Sequence, residues 1–112
     1  MLHQMKLNEK PFNSIKEGTK KIELRLYDEK RSLIKIGDEI IFSKTTTLDE
    51  KLKVKVIGLL RFSTFKDLFK YVDYTLSGYS INLEDKLCEI HKIYSFEEEA
   101  KNGVLAIVIE KM

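Results

Sequence analysis

The run Gly18-Thr19-Lys20-Lys21-Ile22-Glu23-Leu24-Arg25-Leu26-Tyr27 organises the reading of the whole chain. A glycine suited to a turn precedes strict alternation from Lys21 to Tyr27. Side chains on a strand alternate with a period of two, so Ile22, Leu24 and Leu26 point one way, and Lys21, Glu23, Arg25 and Tyr27 point the other. Upstream, Met1 to Leu7 reads as a short strand and Asn8 as an N-cap. Pro11 falls in the first turn of the helix that follows, where its missing N–H costs little. Phe12 and Ile15 share one face of that helix, and Gly18 ends it in the manner of a left-handed cap.

Downstream, Asp28 to Arg31 is a charged loop. Ile36-Gly37-Asp38 turns into a strand over Glu39 to Phe42, and Thr45 to Lys51 is a polar turn. Leu52 to Phe62 is the longest strand, with Lys53 and Lys55 on one face and Val54 and Val56 on the other. Gly58 interrupts it, which marks a bulge or sharp bend of the kind that curls a small sheet towards a barrel. Phe65, Leu68, Phe69 and Val72 follow the i, i+3, i+4, i+7 stripe of a helix over Thr64 to Val72. Tyr74 to Asn82 is a loop containing Gly78. Asn82 caps a helix whose face is Leu83, Leu87, Ile90 and Tyr94, and Ser95 with Glu98 forms a capping box for a last helix. Glu97, Glu98 and Glu99 suit the positive end of that helix. Asn102-Gly103 stops it, and Val104 to Ile109 is apolar on both faces, as a central strand requires.

The order β-α-β-β-β-α-α-α-β, with the middle strands joined by turns, gives an α+β domain. Its sheet is mixed or antiparallel and its helices pack outside. At 112 residues and 13.1 kDa the chain is expected to be one domain, residues 1–112, with one core. No apolar run approaches the length of a membrane span. The opening MLHQMKLNEK is too polar for a signal peptide, which leads to the expectation of a cytoplasmic protein. One cysteine cannot form an internal disulfide and two histidines supply little metal chemistry, so neither a metal nor a cofactor is expected. Charge is uneven: residues 1–70 carry 16 Lys/Arg against 10 Asp/Glu, and residues 71–112 carry 4 against 8. A one-sided positive field of that kind attracts phosphate.

Motifs for P-loops, dinucleotide folds, zinc peptidases and serine hydrolases are absent. The chemistry concentrates in Lys20, Glu23 and Arg25. Glu23 and Arg25 share a strand face about 7 Å apart at Cα, and Lys20 sits at the adjoining turn. Together they offer an acceptor, a planar cationic fork and a mobile ammonium, which suits a nucleotide. The competing reading is a same-face ion pair on a solvated strand, worth under about 1 kcal/mol. Tyr27, on the same face, and Tyr79, in the loop after Gly78, are candidates to stack a base. Lys53 and Lys55 would extend a phosphate track, or simply keep a strand face solvated. Cys88 and His91 lie i, i+3 on one helix, where Cys88 reads as a half-buried filler, not a nucleophile. His3 reads as solvated.

Gly18, Lys20, Glu23 and Arg25 match the pattern GxKxxExR, and here the chain resembles the ASCH domain family, whose fold is PUA-like. The likeness extends through Glu23 to Arg31, Ile36 to Phe42, Ser77-Gly78-Tyr79, and Tyr94-Ser95 to Gly103 and Ile107, in the manner of small bacterial single-domain members. The resemblance implies a small curled β-barrel with flanking helices and a cleft lined by Lys20, Glu23 and Arg25. It also implies RNA or nucleotide binding as the function. Some family members are hydrolases: one bacterial branch deacylates N4-acylated cytidine, and ribonuclease activity occurs elsewhere. This chain departs from the deacylase branch, because Glu23 stands where that branch has a nucleophilic threonine, although the matching lysine is present as Lys20. The branch's second carboxylate has no motif that can be placed. A hydrolase using Glu23 to activate water and Lys20 to stabilise the oxyanion is the alternative function. A protein-interaction module without a small ligand is a third. The identity of the ligand and the oligomeric state are left open.

Overall fold

The computed structural model describes residues 1–47 and 49–112. Strands β1 (Leu2–Leu7), β2 (Ile22–Leu26), β3 (Glu39–Lys44), β4 (Lys51–Phe62) and β5 (Val104–Lys111) form one sheet in the order β1-β3-β4-β5-β2. β1 runs parallel to β3, and every other pairing is antiparallel. Helices α1 (Glu9–Glu17), α2 (Phe65–Leu68), α3 (Leu83–Ile93) and α4 (Phe96–Asn102) flank it. The sheet is a mixed, curled half-barrel and the fold is α+β, as expected from the sequence. β1 and β2 are its two edges, and they approach each other as the sheet curls.

The curl has a local cause at Gly58. The β4–β5 register shifts between Val56 and Gly58, leaving Ile57 as an extra residue. A Cβ on Gly58 would lie 3.1 Å from Val108 Cγ2, so a larger residue there would press on the Val108 side chain of the paired strand. β5 feeds two cores, one on each face. Leu105, Ile107 and Ile109 join Met5, Phe12, Ile15, Ile40, Phe42, Val54 and Val56 on the concave side, which α1 plugs. Val104 and Ala106 join Ile22, Leu26, Phe65, Leu68 and Ile90 on the other. Eleven of these side chains are less than 2% exposed, and full burial of each one larger than alanine contributes on the order of 1.5–3 kcal/mol.

Several local expectations change. The helix expected over Thr64 to Val72 is shorter. Thr64 caps it by accepting the Asp67 N–H, but beyond Leu68 the chain tightens into i→i−3 bonds from Lys70 to Asp67 and Tyr71 to Leu68. The loop after it contains a 3-10 turn at Tyr74–Ser77, and another 3-10 turn follows the charged loop at Arg31–Leu33. Asn8 precedes α1, yet its side chain makes no cap bond; its Oδ1 accepts instead from Thr45 Oγ1 at 3.1 Å, tying α1 to the end of β3. Glu99 does not act as a surface charge near a helix start. It is buried, and its Oε2 accepts the Phe65 N–H at 2.9 Å. No helix among the described residues is long and apolar enough to cross a membrane.

Candidate functional site

The turn that ends α1 delivers the first charged group. Gly18 takes φ +88°, and its N–H bonds to the Ile15 carbonyl. The Ser14 carbonyl then accepts from the backbone N–H groups of Thr19 and Lys20, at 3.0 and 3.1 Å. A left-handed residue is needed to reverse the chain there, which is why the position holds glycine. Lys20 is thereby turned inward and is only 7% exposed. Its Nζ donates to the Ser77 carbonyl at 2.7 Å and stands 3.2 Å from Glu23 Oε1. The Lys21 N–H reaches the Leu76 carbonyl at 2.8 Å, so the 3-10 turn after α2 is clipped directly onto this corner.

β2 supplies the other two groups. Ile22, Leu24 and Leu26 face the second core, so Glu23 and Arg25 face the concave side, at the open seam between the sheet's two edge strands. Glu23 is 4% exposed. Arg25 Nε donates to its Oε2 at 2.6 Å, and Arg25 Nη2 crosses the seam to the Lys6 carbonyl of β1 at 3.1 Å. Burial, the largest single influence, pushes the Glu23 carboxyl up, but the charges and hydrogen bonds of Lys20 and Arg25 together outweigh it and hold the group below the usual carboxylate range. Glu23 is thus an ionised, buried carboxylate between two cations, not a solvated surface pair.

This triad borders a cleft of about 310 Å³ whose far wall is α3, with Lys86, Ile90 and Tyr94. Burial pushes the Tyr94 phenol up, which keeps it a neutral hydrogen-bonding group. A second cavity of about 680 Å³ adjoins the first and shares Pro11, Lys20, Ser77, Lys86 and Glu89 with it. Tyr79 borders the second cavity and is 71% exposed.

The five candidate residues are therefore not one cluster. Lys20, Glu23 and Arg25 meet, and Tyr79 stands at the adjoining cavity. Tyr27 lies past the end of β2, away from both, with the Arg61 guanidinium 3.6 Å over its ring, so a neighbour already occupies one stacking face. Lys53 and Lys55 stay exposed on β4, and Lys53 pairs with Glu39 at 3.0 Å. Cys88 is exposed and not the half-buried filler expected, because it falls on the solvent side of α3. His91 turns away into a stack with Phe96, centroids 3.9 Å apart. His3 is not solvated: its Nε2 lies 2.8 Å from Asp38 Oδ2, and its side chain is 8% exposed. Among the described residues no His, Cys, Asp and Glu side chains gather in a way that would hold a metal ion.

Lys86 is a cavity-lining residue that the sequence reading does not single out. It is 6% exposed and borders both cavities. Its position four residues before the buried Ile90, inside an otherwise apolar helix face, is the signal that marks it.

Comparison with known proteins places this geometry. The crystal structure of the hypothetical protein PH0355 superposes with a TM-score of 0.88 at 41% identity, over 100% of both chains. The solution structure of protein PF0455 from Pyrococcus furiosus gives 0.77 at 34% identity, over 100% of this chain and 98% of that one. An ASCH protein from Zymomonas mobilis shares the fold at 12% identity, with a TM-score of 0.71 over 96% of this chain and 66% of its own. No curated protein matches. The family model for the ASCH domain matches residues 5–112, which takes in the end of β1, strands β2 to β5, both cavities and the whole GxKxxExR segment, and the chain belongs to the ASCH domain family.

Proposed function

We propose that the chain binds RNA or a nucleotide in the cleft at the seam between β1 and β2. The carrying observation is the buried triad: Glu23 is held ionised, with one oxygen facing Lys20 and the other bonded to Arg25. An ionised carboxylate accepts up to about four hydrogen bonds. Each Glu23 oxygen thus keeps acceptor capacity for an exocyclic amine, while the ammonium and guanidinium answer carbonyl or phosphate oxygens. Membership of the ASCH family, generally described as RNA-binding, supports the same reading. Tyr79 adds an exposed aromatic ring beside the cleft, suited to stacking on a base.

Binding is favoured over hydrolysis on the state of Glu23. A carboxylate held below its usual range is a poor general base near neutral pH. Thermal-shift measurements against nucleosides, 5′-monophosphates and short RNAs test the binding reading, because a ligand that prefers the folded state raises the melting temperature by mass action. A shift with at least one of these, lost in Arg25→Met measured under conditions where that variant remains folded, supports the reading; no shift with any of them opposes it. Incubation with N4-acetylcytidine tests the hydrolase alternative, and turnover above a Glu23→Gln control would establish it.

A further inference from the structure

Two lysine ammonium groups, on largely buried side chains, converge on one two-residue segment. Lys20 Nζ is bonded to the Ser77 carbonyl at 2.7 Å, and Lys86 Nζ lies 3.5 Å from where a Cβ on Gly78 would stand. Lys20 has a buried counter-charge in Glu23, which it shares with Arg25. Lys86 does not: its side chain is 8% exposed, and among the described residues its Nζ has no hydrogen-bond partner and a single carboxylate, Glu89 Oε2, at 3.9 Å. That oxygen also accepts from Ser80 Oγ at 3.2 Å, and the rest of Glu89 is solvated, with 54% of its side chain exposed. A loosely paired charge on a largely buried side chain is costly, and so is placing like charges together without an anion between them. Burial, together with the neighbouring charges of Lys20 and Lys10, pushes the Lys86 ammonium below its ordinary range against the opposing pull of Glu89.

We propose that the cavity between α1, the Ser77–Gly78 segment and α3 is a phosphate subsite, with Lys86, Lys20 and Lys10 as its cationic donors. The charged groups bordering the cavity are Lys10, Lys20, Lys21 and Lys86 against Glu17 and Glu89, an excess of two positive charges. Gly78 has φ +123° and no side chain, which leaves space in front of the Lys86 ammonium. The subsite shares Lys20 and Lys86 with the triad's cleft, so it would take the phosphate of a ligand whose base lies against Glu23 and Arg25. It rests on the proposed function for the identity of that ligand, but not for its affinity for the phosphate group. The phosphate can come from a free mononucleotide or from the phosphorylated end of an RNA.

The test is calorimetric titration of the protein with the four ribonucleosides, their 5′-monophosphates, a tetranucleotide RNA with and without a 5′-phosphate, and inorganic phosphate. At least one phosphorylated probe is expected to bind about tenfold or more tightly than its unphosphorylated counterpart, in line with a charge-assisted contact. The tighter of the two phosphorylated probes names the source. Lys86→Met, which keeps the buried aliphatic volume, should bring the pair within about threefold. Lys10→Gln, at an exposed position, should narrow the gap in the same direction and stands in if Lys86→Met does not fold. If inorganic phosphate binds the wild type and not Lys86→Met while no nucleoside binds, the subsite holds and the base-binding reading falls. If nucleosides bind but the phosphate adds nothing, or adds as much in both lysine variants as in the wild type, the subsite is overturned. No binding by any probe overturns both.

Discussion

Arg25 Nη2, on one edge strand of the sheet, donates to the main-chain carbonyl of Lys6, on the other, at 3.1 Å. The half-barrel is closed at this point by a side chain, with no ladder between β1 and β2. The same guanidinium bonds the buried Glu23 at 2.6 Å. One residue therefore ties the seam, neutralises the carboxylate and borders the cleft, so its replacement affects fold and site together.

From the strand pattern alone, reversing the charge of Arg25 would be expected to weaken binding with little loss of stability. The buried pairing changes that expectation. Arg25→Ala leaves Glu23 paired with Lys20 alone and removes the bond across the seam to Lys6, and should destabilise the fold by about 1.5–3 kcal/mol, the loss of a hydrogen bond to a charged group. Arg25→Lys should recover part of this at most, because an ammonium cannot serve Glu23 and the Lys6 carbonyl with a planar fork. Urea denaturation of the three proteins measures both effects.

Acid should weaken the fold through the same carboxylate. The folded-state pKa of Glu23 lies below its ordinary value of 4.5, so its contribution is fully present above that value and is lost as pH falls through the folded pKa. Asp38 acts in the same direction, held low by the His3 ring, the Lys35 N–H and the Met1 amine. Denaturation midpoints measured from pH 7 down to pH 2 should fall for the wild type, and fall less steeply for Glu23→Gln, which has no proton to gain at that position.

Glu99 illustrates a role opposite to its appearance. Of three consecutive glutamates, it alone turns inward, to accept the Phe65 N–H at the start of α2. Glu99→Ala should cost about 1–3 kcal/mol by leaving that buried donor unsatisfied. Glu97→Ala, at an exposed position, should stay within about 0.5 kcal/mol of the wild type. Thermal denaturation of the pair separates the two roles.

Tyr79 should matter to binding and not to folding. The residue is 71% exposed, so Tyr79→Ala should leave the melting temperature unchanged. If the ring stacks on a base, the same variant should weaken nucleotide binding by about 1–3 kcal/mol. Titration of wild type and variant with the tightest probe checks it.

Much of the fold is legible in local pattern. The alternation from Lys21 to Tyr27 defines β2, Gly58 marks the bulge, and the doubly apolar run from Val104 identifies the central strand. Which side of β2 faces a cavity is a different kind of fact. Glu23 and Arg25 look solvated because alternating polar residues usually are, and they turn inward only because β2 is an edge strand that curls back towards β1. The strand order β1-β3-β4-β5-β2 is set by long-range pairing that no local period encodes. The same holds for the far wall. Lys86 reads as one more helical lysine until α3 packs across the seam and removes its water. His3 looks solvated in the sequence for a similar reason, since its partner Asp38 lies 35 positions away.

The most direct measurement is a backbone amide NMR titration of isotopically labelled protein with ribonucleoside 5′-monophosphates. Saturable shifts are predicted at Lys20 to Arg25, at Ser77 to Tyr79 and around Lys86, with the exposed face of β4 at Lys53 and Lys55 silent. Shifts confined to that lysine face, or no saturable shift at the seam, would contradict a ligand site between the two edge strands.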